Sequence, residues 1–128
     1  MPVPTPAPNI QKPLEWAGAA RKDLLAFPDV ARRNVGYALG LAQRGGKHPD
    51  AKHWQGEGPG VFEFVESFEG NAYRAVYSVR FAQAVYVLHC FQKKAPSGIR
   101  TAQTDIDLIR PRLRAAAQHY EAHYGKKD

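Results

Sequence analysis

Arg74, Lys93 and Lys94 are the residues whose types and spacing best suit a phosphate. Arg74 lies in an otherwise apolar run, Ala72 to Val79 (AYRAVYSV), where a guanidinium needs a partner. A phosphate matches its planar fork of donors, and so does a carboxylate, for which Glu63 or Glu66 in the preceding run are the candidates. Gln92, Lys93 and Lys94 follow a second apolar run, Ala84 to Phe91 (AVYVLHCF). A further basic cluster, Lys47, His48, Lys52 and His53, stands before these runs; it either contacts a polyanion or supplies positive potential as a solvated loop.

Other reactive types are read more plainly. Cys90 sits within an apolar run and is expected to be a buried, inert thiol. Tyr77 falls on the opposite sheet face from Arg74 by alternation and belongs to the core, and His89 is read as a packed strand histidine. His119 and His123 have a spacing that can bind zinc, but the glutamate of a His-Glu-x-x-His motif is misplaced. Two solvent-exposed histidines and no metal are expected. No glycine-rich phosphate loop and no Ser-His-Asp arrangement can be assembled, and no cofactor is expected.

These residues need elements to hold them. A first helix over Gly18 to Phe27 has Ala20, Leu24 and Phe27 on one face. Pro28-Asp29 interrupts it, and a second helix carries Val30, Arg33, Val35, Tyr37, Ala38, Leu41 and Ala42 to a stop at Gly45-Gly46. Lys47 to Gly60 reads as a loop. Val61 to Phe68, Ala72 to Val79 and Ala84 to Phe91 read as three strands of an antiparallel meander. Thr101 can cap a last helix whose stripe is Ile106, Ile109, Leu113, Ala116, Ala117 and Tyr120, with a kink or break expected at Pro111. Arg110, Arg112 and Arg114 are assigned to its solvated or partner-facing side. With a short extended stretch at Leu14 to Trp16, the order is β-α-α-β-β-β-α. The fold class is therefore α+β: a small antiparallel sheet, a helical hairpin on one face and a C-terminal helix.

Strand register decides which lysine accompanies Arg74. If five residues link the last two strands, Val79 faces Val85, Arg74 opposes Cys90, and Gln92 and Lys94 share its face. A four-residue link reverses the parity and joins Arg74 to Lys93.

The bulk properties set the bounds. The 128 residues fit one domain, expected at 14–120, between a proline-rich, poorly ordered tail (1–13) and a charged end (121–128). A net charge of +6 and a pI near 9.6 favour a polyanionic or acidic partner. One cysteine rules out an intramolecular disulfide and fits a reducing, cytoplasmic setting. No run is long and apolar enough for a membrane span, and the Pro-rich start lacks a signal peptide's apolar core.

Taken in order, several segments resemble the RelE/ParE toxin superfamily, and within it the phage-derived HigB-like toxins of type II toxin–antitoxin systems. They are Glu15-Trp16, Lys22 to Pro28, Gly36 to Leu39, Pro49 to Lys52, Gly58 to Val61, Tyr73-Arg74-Ala75-Val76-Tyr77, Ala84 to His89, Phe91 to Lys94, and Asp105 to Ile109. The resemblance implies an endoribonuclease that cleaves mRNA, often in the ribosomal decoding site. It implies restraint by a helix-turn-helix antitoxin encoded nearby, with operator DNA reached only through that antitoxin. It favours Arg74 and Lys94, with Lys93, as catalytic residues, and Lys47, Lys52, His53 and Gln92 as RNA contacts. The catalytic tyrosine that RelE places soon after its basic pair has no counterpart here. Two alternatives share the scaffold: an inhibitor of a host protein such as gyrase, and a phage-derived binding protein without activity.

Overall fold

The computed structural model describes residues 11–94 and 102–125. In chain order the elements are β1 (Leu14–Trp16), α1 (Ala20–Leu25), α2 (Asp29–Gln43), β2 (Lys52–His53), β3 (Val61–Phe68), β4 (Asn71–Ser78), β5 (Val85–Lys94) and α3 (Gln103–Tyr124). The α+β architecture is the expected one. Five strands form one sheet in the order β1-β5-β4-β3-β2. β3, β4 and β5 make the antiparallel meander, while β1 adds to β5 in parallel. The short strand β2 falls inside the segment read as loop, because Lys52 and His53 pair with Glu63 and Phe62 at the sheet's edge.

One sheet face is covered by the helical hairpin. Ala20, Leu24 and Phe27 are buried there, as their spacing predicts, with Val35, Ala38 and Leu39 of α2 against Tyr73, Ala75 and Tyr77. The buried stripe of α2 is rotated from the expected one: Ala31 and Leu39 face inward, whereas Val30 and Tyr37 are exposed. Alanines at 31, 38 and 42 let this helix lie close to the sheet, with Val35 and Leu39 packed between them. Gly45 ends α2 at φ +87, with Gly46 N–H bonded to Leu41 O and Gly45 N–H to Ala42 O. That is a Schellman closure, and it requires the left-handed conformation glycine adopts without strain.

The other face takes α3. Ile109, Leu113, Ala116 and Tyr120 pack on Val76, Tyr86, Leu88 and Phe91, with Trp54 at the margin. Ile106, placed on that stripe by periodicity, is 36% exposed. The helix runs unbroken through Pro111. The expected break does not occur because Ile109 and Leu113 anchor the turns on both sides of the proline in the same core. The cap position of α3 is Ala102, with no side-chain cap bond, and Thr101 lies outside the described residues. No described helix is long and apolar enough to cross a membrane.

Lys12 N–H bonds Gln43 O, and Val85 N–H bonds Pro13 O, tying the entry of the chain to α2 and β5. The expected proline-rich tail otherwise falls on residues 1–10, outside the described residues. The Gly58-Pro59-Gly60 bend is held by Arg80, whose guanidinium donates to Glu57 O and Pro59 O. A Cβ at Gly60, which has φ +85, would stand 2.9 Å from Arg80 Cβ, so the close crossing needs glycine.

Candidate functional site

β5 carries a bulge, and the bulge decides the site. Next to the turn, Tyr77 pairs with Val87 and Ser78 with Tyr86, the register of a five-residue link. Val76 then pairs with His89, leaving Leu88 as the extra residue. The ladder beyond is displaced by one, so Arg74 opposes Phe91 rather than Cys90. Lys93, opposite Ala72, comes into phase with Arg74, while Gln92 and Lys94, opposite Tyr73 and Asn71, belong to the alternate register positions. This corrects the expectation that Arg74 shares its face with Gln92 and Lys94: one bulge residue exchanges the two sets.

Arg74 donates from Nη1 to Glu63 Oε2 at 2.5 Å, a diagonal contact between β4 and β3. The two side chains are 13% and 16% exposed, so the ion pair is largely desolvated. Glu63 is thus the carboxylate partner, while Glu66 accepts from Asn34 Nδ2. The pair leaves one group unsatisfied. Arg74 Nε is buried without a hydrogen-bond partner among the described residues. Such an orphan donor costs roughly 1–3 kcal/mol, more when charged.

Lys52 lies opposite Glu63 on β2 and is exposed. Lys52, Glu63, Arg74 and Lys93 therefore occupy in-phase positions on four neighbouring strands, β2 to β5. The rest of the basic loop is not part of this row. Lys47 donates to Ala51 O at 2.7 Å and His48 O at 3.2 Å, and its ammonium stands 5.8 Å from the Phe62 ring centre. His53 lies opposite Phe62, with Nε2 3.1 Å from Gly58 O. Both residues organise the loop itself.

The bulge also turns Leu88 and His89 together toward α3. Arg112 Nη1 donates to Leu88 O at 2.9 Å and to His89 Nδ1 at 3.2 Å. Because arginine can only donate, Nδ1 is the acceptor and His89 Nε2–H is assigned as donor to Asp105 Oδ1, at 2.7 Å. His89 is packed, as expected. Arg112 is not on a solvated side, however: the bulge exposes a carbonyl that its guanidinium caps. Arg110 pairs with Glu57. Of the two histidines expected to be exposed, His123 is and His119 is half-buried, with Nδ1 2.7 Å from Tyr86 Oη; the two imidazoles stack at 3.9 Å. Among the described residues no group of three metal-ligating side chains converges.

Burial pushes the Cys90 thiol up to about 12, aided by the charge of Asp23 and opposed by Arg112. Tyr77, buried beneath the hairpin, is pushed up to about 12 by the same desolvation. Both fit their expected core roles. The sequence offers Glu63 only as a candidate partner for Arg74 and gives no sign that Asp105 meets His89. β3 alternates too loosely to place Glu63 by eye, and the His89–Asp105 pair depends on the bulge.

A profile of the family described as "Phage derived protein Gp49-like (DUF891)" matches residues 22–114. The chain belongs to this family. Gp49-like proteins are a RelE-like toxin family, which agrees with the resemblance at that level. A chain of the toxin–antitoxin complex RelBE2 from Mycobacterium tuberculosis aligns with 66% of this chain and 93% of its own length, at 22% identity and a TM-score of 0.44. No curated protein matches the chain.

Proposed function

We propose that this Gp49-like protein is the toxin of a type II toxin–antitoxin pair and a metal-independent endoribonuclease acting on mRNA, with an antitoxin as its partner. The observation carrying this reading is the row Lys52, Glu63, Arg74, Lys93, in which a desolvated guanidinium keeps an unspent donor beside a carboxylate. RNA cleavage by the 2′-hydroxyl needs a base, cationic stabilisation and an acid. Glu63 takes the 2′-hydroxyl proton as the 2′-oxygen bonds to phosphorus. Arg74, released from Glu63 as the carboxylate is neutralised, donates to the phosphorane oxygens. Lys93 gives a proton to the departing 5′-oxygen, leaving a 2′,3′-cyclic phosphate and a 5′-hydroxyl. Lys52 holds the strand from the exposed edge. This assignment replaces the tyrosine of RelE with a carboxylate, and it demotes Lys94, Gln92, Lys47 and His53 from the reacting centre to its surroundings.

The test is purified protein incubated with mRNA, with and without ribosomes, and mapping of the product ends. Cyclic phosphate ends should form. Arg74→Lys, which retains charge but not the fork, should slow cleavage at least about 100-fold, and Glu63→Gln about as much, with unchanged circular dichroism. Full activity in both variants would remove this site. Arrest of DNA supercoiling without RNA ends would establish the gyrase-type alternative instead.

A further inference from the structure

A slot of roughly 320 Å³ opens between β1, the start of β5 and the middle of α3, apart from the Arg74 row. Ala115 and Ala116 keep it open by their small size, while Gly18 lets the Arg112 guanidinium lie against its backbone, where a Cβ would come within 2.7 Å of Nη2; the volume falls within the range of small-ligand sites. Three polar groups face it in fixed positions. Arg112 is anchored through Nη1 to Leu88 O and His89 Nδ1, and its Nε and Nη2 have no hydrogen-bond partner among the described residues. Glu15 is held by Tyr124, whose hydroxyl donates to Oε2, and its Oε1 accepts no hydrogen bond among the described residues. His119 is held by Tyr86 through Nδ1, leaving Nε2 available, and the two rings give an aromatic wall. A carboxylate and a guanidinium on one apolar slot do not suit a simple anion, which Glu15 repels, or a simple cation, which Arg112 repels.

We propose that this slot is a guanine-binding subsite. Guanine is flat and presents adjacent N1–H and N2–H donors on one edge, for Glu15, and O6 and N7 acceptors on another, for Arg112. Adenine offers an amino donor where Arg112 also donates, and pyrimidines lack the second ring that spans the slot. Aromatic side chains accept an unstacked base of single-stranded RNA in this way. The assignment rests on the ribonuclease reading above. Phe91, opposite Arg74, stands five positions along β5 from Tyr86, about 16 Å of strand. The recognised base is therefore not the one at the cut but lies at a fixed offset from it.

Titration of the full chain with guanosine 5′-monophosphate, followed by NMR, tests the subsite without requiring cleavage. The expected result is saturable binding that perturbs His119 and Tyr86, with about tenfold preference over adenosine 5′-monophosphate. Glu15→Gln should abolish that preference, and Ala115→Trp, which fills the slot, should abolish binding while melting temperature holds. Arg74→Lys should bind as the wild type does. Equal binding of both nucleotides, no binding, or preference surviving in Glu15→Gln overturns the subsite. Cleavage mapping separates the two readings. A chain that binds guanosine monophosphate but never cuts RNA refutes the ribonuclease alone. A chain that cuts RNA with no guanine enrichment at any offset refutes the subsite alone.

Discussion

The guanidinium of Arg74 and the carboxylate of Glu63 depend on each other because neither is well solvated. Removing one partner strands the other, a change that costs about 3–5 kcal/mol for buried pairs. Replacing both with apolar residues of similar volume leaves no stranded charge. Urea denaturation should therefore show Glu63→Leu strongly destabilised and Glu63→Leu with Arg74→Met closer to wild type; additive losses would contradict the coupling. Tyr77 offers a second residue-scale test, because its buried hydroxyl has no hydrogen-bond partner among the described residues. Its folded pKa is raised from 10.0 to about 12. Below pH 10 the phenol is protonated in both states and its contribution to stability is complete. From pH 10 to 12 only the unfolded chain ionises, so stability falls by of order 2 kcal/mol as pH rises. Tyr77→Phe should make that part of the stability profile less steep, leaving the falls due to Cys90, Tyr86 and Tyr124, and keep neutral-pH stability equal or higher. A profile unchanged by the substitution would mean that Tyr77 is hydrated in the folded protein.

At the scale of elements, periodicity located α1, α2, the meander and α3 because each has one apolar face and a stop signal. Ala20, Leu24 and Phe27 were legible because a three- and four-residue spacing has one helical solution. The α2 stripe was less legible because its buried residues include small alanines, whose burial depends on how closely the helix meets the sheet. β2 was missed because two polar residues at an edge carry no alternation. The bulge was not legible: Leu88-His89 looks like ordinary strand, and its extra residue shows only when both strands are paired. That one residue determines whether Lys93 or Lys94 accompanies Arg74, so the candidate site was half readable. Pro111 was readable as a liability, but its consequence was not, because packing on both sides holds the helix. The strain still remains, since residue 111 has no N–H for the Asp107 carbonyl. Pro111→Ala should restore that bond and raise stability by about 1–3 kcal/mol. A lower melting temperature would show that the proline's ring is itself part of the packing.

On the scale of the whole molecule, the sheet divides the protein into two differently stabilised halves. The hairpin face is a continuous apolar core, whereas the α3 face mixes apolar contacts with the His89–Asp105 and Arg112 network. The register puts positions 52, 74 and 93 in phase with Val76 of the latter face, so the net charge of +6 is either focused there on RNA or diffuse solubilising charge. The two views differ in salt dependence. Each phosphate neutralised on single-stranded RNA contributes a slope of roughly −0.7 in log affinity against log salt. If Lys52, Arg74 and Lys93 each meet a phosphate, the full slope is about −2, and Lys52→Gln should reduce it by about 0.7 while lowering affinity for all sequences alike. Diffuse charge predicts that removing Lys52 changes affinity no more than removing an exposed lysine elsewhere, such as Lys22 on α1. Binding of a short single-stranded RNA, measured for wild type, Lys52→Gln and Lys22→Gln over a salt series, decides between them. Identical slopes for the two variants would detach RNA binding from this face. A loss confined to Lys52→Gln would localise it at the edge where β2 meets Glu63.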